Sequence, residues 1–291
     1  MGSKNIIRIT MACTLWMQGL YTSAGDFDFR AAEDSLKVLS LNIIRPADDS
    51  LRLQHNALFF DAMLEVLQEE GSIDYPFDSL TTVSVLQHDA CGIRIFTWYV
   101  PLQQDRYIYF GLVQIADTTR ASSIIVLSDS TQHIQNPLHE ALSAERWYGA
   151  YYYELIGHET EDGWMLTLLG WKGDNPYTRK RVVEPLVIRD DALVFGQQMF
   201  RGARGNPYRI VFEYASHVSM SLLYEAHFLD QMQEQRVPMI IFDRLSPIQE
   251  QFKGQYRYYV PEGNIFDALV FEEGVWVFYR DVDARFRMPR R

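Results

Sequence analysis

Short segments in which apolar and polar residues alternate occupy most of this 291-residue chain, and they constrain its fold more than any other feature. Successive side chains of a strand point to opposite faces, so a period of two is typical of half-buried strands. The clearest case is residues 266–271 and 275–279, which flank Glu272-Glu273-Gly274 and read as a hairpin. We therefore predict a mainly β protein with a predominantly antiparallel β domain at residues 76–291.

Residues 25–75 have a different period. Ala32, Leu36, Leu39 and Ile43 recur at spacings of three and four, which is one apolar stripe of a helix. After Pro46 a second stripe follows with the same spacing, and it consists of Leu53, Ala57, Phe60, Leu64 and Leu67. We predict a segment of two helices that precedes the β domain.

The first 24 residues have the pattern of an export signal. Lys4 and Arg8 supply positive charge, residues 9–21 are mostly apolar, and Ala24 ends a group of small residues. A buried N-terminal helix is the alternative. The order of the three features favours cleavage after Ala24 and a periplasmic or extracellular location. Residues 25–291 have no apolar run of transmembrane length, so we predict no membrane span in the mature chain.

The two cysteines add little chemistry. Cys13 does not fit a lipoprotein signal, because Thr10 stands where such a signal needs Leu, and the apolar run continues past the cysteine. Removal of residues 1–24 would leave Cys91 alone, and a single cysteine forms no internal disulfide. We interpret Cys91 as a small packing residue.

Charge and motifs exclude several classes of function. The net charge of -11 argues against a nucleic-acid partner. The sequence has no nucleophile elbow, Walker loop, zinc-protease helix motif or dinucleotide fingerprint. Its seven histidines include no pair at helical i, i+4 spacing. We expect neither a metal nor a cofactor.

The loop Gly170-Trp171-Lys172-Gly173-Asp174-Asn175-Pro176 is the candidate ligand site. Asp174 and Asn175 offer oxygen atoms that could bind calcium or sugar hydroxyls beside the indole of Trp171. The same residue types also form tight turns, so the loop has a purely structural interpretation as well.

Aromatic residues make up 14% of the chain and recur as alternating tyrosine pairs. In a strand, each pair places two rings on one face, where they either stack on a glycan or pack in the core. The pairs are Tyr107 with Tyr109, Tyr151 with Tyr153, and Tyr256 with Tyr258.

Four stretches taken together, residues 92–98, 147–154, 168–175 and 256–276, resemble a family of uncharacterised exported proteins from Bacteroidota-type bacteria. The resemblance implies export and a shared fold, and it supplies no catalytic residues. Lys172 stands where the family pattern has Asp. This charge reversal argues against a metal site in the loop.

These observations favour a non-catalytic envelope protein, either binding or structural, whose partner is an unknown envelope component or glycan. The alternative is a glycan-active hydrolase that uses carboxylates without a recognisable motif. Its candidates are Asp89, Glu154, Asp174 and Glu213. Such an enzyme needs two carboxyl groups about 5–10 Å apart, and a sequence does not reveal that distance.

Overall fold

Two helices come first in the chain, and antiparallel sheets follow them, as the two periodicities predict. The computed structural model describes residues 20–21, 26–116, 122–161, 163–173, 175–189, 192–229 and 235–282. The predicted export signal therefore lies outside the described residues, apart from Leu20 and Tyr21. One short strand pair is parallel, and nine pairs of the described strands are antiparallel.

Each helix begins at an aspartate cap. Helix α1 spans Phe29–Ile44, and the side chain of Asp28 accepts a hydrogen bond from the Ala31 amide at 3.0 Å. Helix α2 spans Asp49–Gln68, and Asp48 accepts one from the Leu51 amide at 3.0 Å. These carboxylates satisfy backbone N–H groups that have no partner within the first turn of a helix.

The buried face of α1 is the predicted one, whereas the buried face of α2 matches the predicted stripe only in part. Ala32, Leu36 and Ile43 are buried, whereas Leu53 and Ala57 are exposed. Of the predicted stripe, Leu67 is buried, and Phe60 and Leu64 are partly buried against the core. The buried positions of α2 are Asn56, Phe59, Ala62, Met63, Val66 and Leu67. The buried Asn56 accepts a hydrogen bond from the Trp98 indole at 2.7 Å, which fixes the rotation of the helix.

Two compact units make up the described chain. The first unit takes in the described residues up to Gln103 and then Ile108–Val126. Its sheet has the order β1-β2-β3-β4. The strands are β1 (Ser84–His88), β2 (Ile93–Leu102), β3 (Arg106–Ile115) and β4 (Ser123–Ser128), and the ends of β3 and β4 extend into the second unit.

The core of the first unit encloses a charged side chain, Arg94, which is fully buried. Its guanidinium donates to the carbonyl oxygens of Ser72 at 2.9 Å and Tyr75 at 2.7 Å. The rings of Phe77 and Phe96 lie 5.1 and 5.0 Å from its central carbon. Burial lowers the pKa of Arg94 to about 10. The arginine therefore holds the turn that follows α2 against the sheet.

The second unit takes in Gln104–Tyr107 and the described residues from Leu127 onward. One sheet has the order β5-β9-β8-β7-β6 with β11 also paired to β8, and the other has the order β10-β15-β14-β13-β12. The strands are β5 (Leu142–Ser143), β6 (Tyr151–Thr160), β7 (Gly163–Gly173), β8 (Thr178–Arg189), β9 (Ala192–Phe195), β10 (Phe200–Arg201), β11 (Ile210–Ala215), β12 (Leu222–His227), β13 (Val237–Pro247), β14 (Tyr259–Glu272) and β15 (Val275–Val282).

Both sheets of the second unit contribute to one core. Ile156, Leu169 and Val183 of the first sheet pack in the same cluster as Leu269 and Trp276 of the second. The predicted C-terminal hairpin is β14–β15, in which Glu272 pairs with Val275. Both turn residues between them, Glu273 and Gly274, have positive φ, which is the backbone conformation of a two-residue hairpin turn.

Candidate ligand-binding surface

Trp171 and Asn175 lie at the end of the β7–β8 hairpin, and Asp174 lies outside the described residues. Trp171 is half-buried and pairs across the sheet with Tyr151 and Arg181. The hairpin therefore presents the indole on one face of the sheet. Lys172, the next residue, points to the opposite face.

Aromatic contacts hold Trp171 in place. The Tyr107 ring meets the indole edge to face, with the ring centres 5.4 Å apart. That ring also covers Gly173, where an added Cβ would lie 2.4 Å from the tyrosine carbons. Glycine is thus needed at position 173 so that Tyr107 can approach the hairpin backbone.

The side chain of Asn175 organises the turn. Its Oδ1 accepts from the amides of Tyr177 at 2.8 Å and Thr178 at 3.1 Å, and its Nδ2 donates to the Thr178 hydroxyl at 2.9 Å. This is an Asx turn, so the amide oxygen already has backbone donors. The turn leaves the Tyr177 side chain 63% exposed.

Arg179 completes the surface. Its guanidinium donates to the Asn175 carbonyl at 2.6 Å and lies 5.7 Å from the centre of the Tyr107 ring. A carboxylate oxygen of Asp105 is 3.8 Å away. We call Tyr107, Trp171, Tyr177 and Arg179 the aromatic rim.

Lys172 anchors the same hairpin from inside. It is buried, and its Nζ donates to the Thr131 hydroxyl at 2.7 Å, the Tyr148 carbonyl at 2.8 Å and the Gly149 carbonyl. The Thr131 hydroxyl in turn donates to Asp129. All three ammonium protons have acceptors, so the lysine charge serves packing and does not face the aromatic rim.

A second buried network lies in this unit and was not predicted from the sequence. Arg209 and Glu184 form an ion pair with 2.6 Å between Nε and Oε1. The Tyr152 hydroxyl donates to the other carboxylate oxygen and accepts from the Trp147 indole at 2.8 Å. A glutamate within the apolar run of residues 182–188 was the one local signal of this network.

The carboxylates proposed for a hydrolase occupy different surroundings. Asp89 belongs to the first unit, where it accepts from the Gln87 amide at 2.7 Å. In the second unit, Glu213 accepts from the Thr178 hydroxyl at 2.8 Å and lies 3.7 Å from Lys180. Glu154 is half-buried, and burial raises the pKa of its carboxyl group.

The three tyrosine pairs have three different outcomes. Tyr109 is buried, while Tyr107 joins the aromatic rim. Tyr153 sits where the β6–β7 register shifts, and its hydroxyl donates to the Leu222 carbonyl at 2.8 Å. The prediction that Tyr256 and Tyr258 share a sheet face is wrong, because they lie in a 3-10 turn, Tyr256–Tyr258, before β14.

Within the described ranges, no cluster of three or more histidine, cysteine or acidic residues could hold a metal ion. Cys91 is half-buried, and burial raises the pKa of its thiol, which is the opposite of activation as a nucleophile.

None of the described helices combines the length and the apolar character that a membrane span requires. No protein-family model, curated protein or solved structure matches this chain.

Proposed function

We propose that this chain is an exported, non-catalytic envelope protein that binds a glycan through its aromatic rim. The observation that carries the proposal is the arrangement of Trp171 against Tyr107 on a hairpin whose turn exposes Tyr177 and which the buried Lys172 anchors. Ring faces and edges suit the apolar face of a sugar, and a guanidinium supplies donors for its hydroxyls. The anchoring reduces the ordering cost of binding, because the surface is preorganised.

Affinity electrophoresis through gels that contain a soluble polysaccharide tests this proposal. Dextran, mannan, xylan and polygalacturonate are suitable probes, and each is run with calcium and with a chelator. We expect at least one of them to retard the wild-type protein. Trp171→Ala should reduce the retardation, and the effect of Asp174→Ala will report whether that carboxylate contributes. Unretarded wild-type protein, or equal retardation of Trp171→Ala, would contradict the proposal.

A matched control tests whether polysaccharide binding is specific to the aromatic rim or common to any exposed aromatic side chain. Trp164 is an exposed tryptophan at the opposite end of β7, with 38% of its surface accessible. Trp164→Ala should leave the retardation unchanged. A calcium-dependent loss that occurs only in Asp174→Ala would assign the loop to a metal-assisted site.

A hydrolase remains the second candidate because of Glu154. A half-buried carboxyl group with a raised pKa suits a general acid. Release of reducing ends from the same polysaccharides measures this activity directly. Activity that Glu154→Gln removes would favour the hydrolase, and no release by the wild-type protein would leave the binding function.

Export rests on the charged, apolar and small-residue pattern of residues 1–24 and on the resemblance to exported bacterial proteins. Cleavage after Ala24 would remove Leu20, which is buried in the first unit, and Tyr21, whose hydroxyl donates to Glu69 at 2.9 Å. N-terminal sequencing of the protein from its native cell decides the point. We expect Gly25 as the first residue, and an intact Met1 would overturn the proposal.

A further inference from the structure

The loop between β13 and β14 is long and internally ordered. It runs over residues 248–258 between two antiparallel strands that continue the same hairpin. The Ile248 amide donates to the Tyr258 carbonyl at 3.0 Å and closes the base of the loop. Compact loops of this length, packed by their own side chains, are frequently functional.

The interior of the loop is fixed by two of its own aromatic rings. Phe252 and Tyr258 stack with 4.1 Å between ring centres. The Gly254 amide donates to the Tyr259 hydroxyl at 3.0 Å, and the guanidinium carbon of Arg257 lies 4.8 Å from the Tyr258 ring centre. The turn Tyr256–Tyr258 also packs against β11.

This internal order leaves other side chains of the loop exposed. The Tyr256 side chain is 47% exposed, and its ring centre lies 5.1 Å from that of Tyr259. The side chains of Gln249, Gln251 and Gln255 are exposed on the same short segment. An amide offers both donors and an acceptor, which is the combination that a row of sugar hydroxyls requires.

We propose that this loop is a second carbohydrate-binding site, in which Tyr256 stacks on a neutral sugar ring and the glutamine amides bind its hydroxyl groups. The proposal shares its ligand class with the proposed function and does not depend on the aromatic rim. Two sites on one chain would bind a polysaccharide more tightly than either site alone, because the second contact becomes intramolecular.

Affinity electrophoresis in dextran, mannan and xylan tests the loop separately from the rim. Loss of a ring contact of this kind weakens binding by roughly up to tenfold, so Tyr256→Ala should show a clear reduction in retardation. Gln255→Ala should show a smaller reduction. Trp164→Ala is the control, and unchanged melting temperatures will establish that the variants are folded.

The two sites give distinguishable outcomes. Partial retardation in Trp171→Ala that disappears when Tyr256→Ala is added supports the second site. Wild-type retardation in Tyr256→Ala together with loss in Trp171→Ala overturns the second site and leaves the proposed function standing. Loss in Tyr256→Ala with no change in Trp171→Ala keeps the loop site and overturns the rim. Wild-type protein that none of these polysaccharides retards overturns the loop site.

Discussion

The guanidinium of Arg209 and the carboxylate of Glu184 lie 2.6 Å apart, and neither side chain is exposed to solvent. The other polar groups of the pair also have partners. Arg209 donates to the carbonyls of Glu140 and Phe195, each at 3.0 Å, and Glu184 accepts from Tyr152. A buried pair contributes to stability only while every charge and donor is matched, so each partner is essential to the other.

Glu184→Ala should lower the free energy of unfolding by about 3–5 kcal/mol, because Arg209 would keep a buried charge without its counter-ion. The double variant Glu184→Leu, Arg209→Met removes both charges and should recover much of the loss. Urea unfolding followed by tryptophan fluorescence measures both variants.

An exposed ion pair provides the control. Arg201 lies 3.3 Å from Glu273, and both side chains are more than half exposed. Arg201→Ala should change the free energy of unfolding by less than about 1 kcal/mol. Equal losses for Arg201→Ala and Glu184→Ala would contradict the assigned burial of the Glu184–Arg209 pair.

Local sequence predicted the parts of the fold that local periodicity determines. The hairpin β14–β15 and the buried stripe of α1 follow from spacings within one element. The buried face of α2 follows only in part from such spacings. Apolar residues occur on most sides of this helix, and the buried Asn56 bonds to Trp98, which lies 42 positions away. The spacing of residues within one helix carries no information about that contact.

The candidate site divides in the same way. Glycine, asparagine and proline indicated a turn after a strand, and Trp171 and Asn175 lie at the end of the β7–β8 hairpin. Tyr107 reaches Trp171 through the tertiary fold alone, and Glu184 meets Arg209 across 25 positions. The sequence does not reveal either partnership. Glu184 stands out within an apolar run, but nothing local to it identifies Arg209 as its partner.

Lys172→Met should destabilise the second unit and weaken binding at the aromatic rim. The substitution removes the ammonium donors of the Tyr148 and Gly149 carbonyls, and a buried unsatisfied group costs about 1–3 kcal/mol. Lys180→Met is the matched control, since Lys180 pairs with Lys172 across the strands and its side chain is partly exposed. Urea unfolding and polysaccharide retardation should both change in Lys172→Met only. A variant as stable as the wild type would refute the anchoring role.

Removal of residues 1–24 should destabilise the first unit. Leu20 packs in the same core as Leu36 and Phe59, and burial of a leucine side chain contributes about 1.5–3 kcal/mol. Leu20→Ala in the full chain should show a loss of similar size, while Tyr21→Phe removes only an exposed hydroxyl contact. Thermal unfolding of the three proteins and the wild type gives the comparison. A chain of residues 25–291 that melts at the wild-type temperature would show that Leu20 is dispensable.

Protonation of His158 should destabilise the second unit in mild acid. The imidazole stacks on Phe271 with 3.9 Å between ring centres, and burial lowers its pKa. An unfolded histidine titrates near 6.5. Below about pH 6.5, therefore, the unfolded chain binds a proton that the folded chain resists, and stability falls as the pH decreases. Above that pH, this contribution is constant.

The other titratable groups near His158 make the test specific. The Tyr224 hydroxyl lies 3.5 Å from Nε2, and burial raises its pKa, so it stays neutral throughout this range. Glu154, whose pKa is also raised by burial, contributes with the opposite sign, because its stabilising effect is lost as the pH rises from about 4.5.

His158→Phe keeps a ring on Phe271 and should flatten the decline of the melting temperature just below pH 6.5. Glu154→Gln should steepen the decline near pH 5. An unchanged decline in His158→Phe would assign the acid sensitivity to another group.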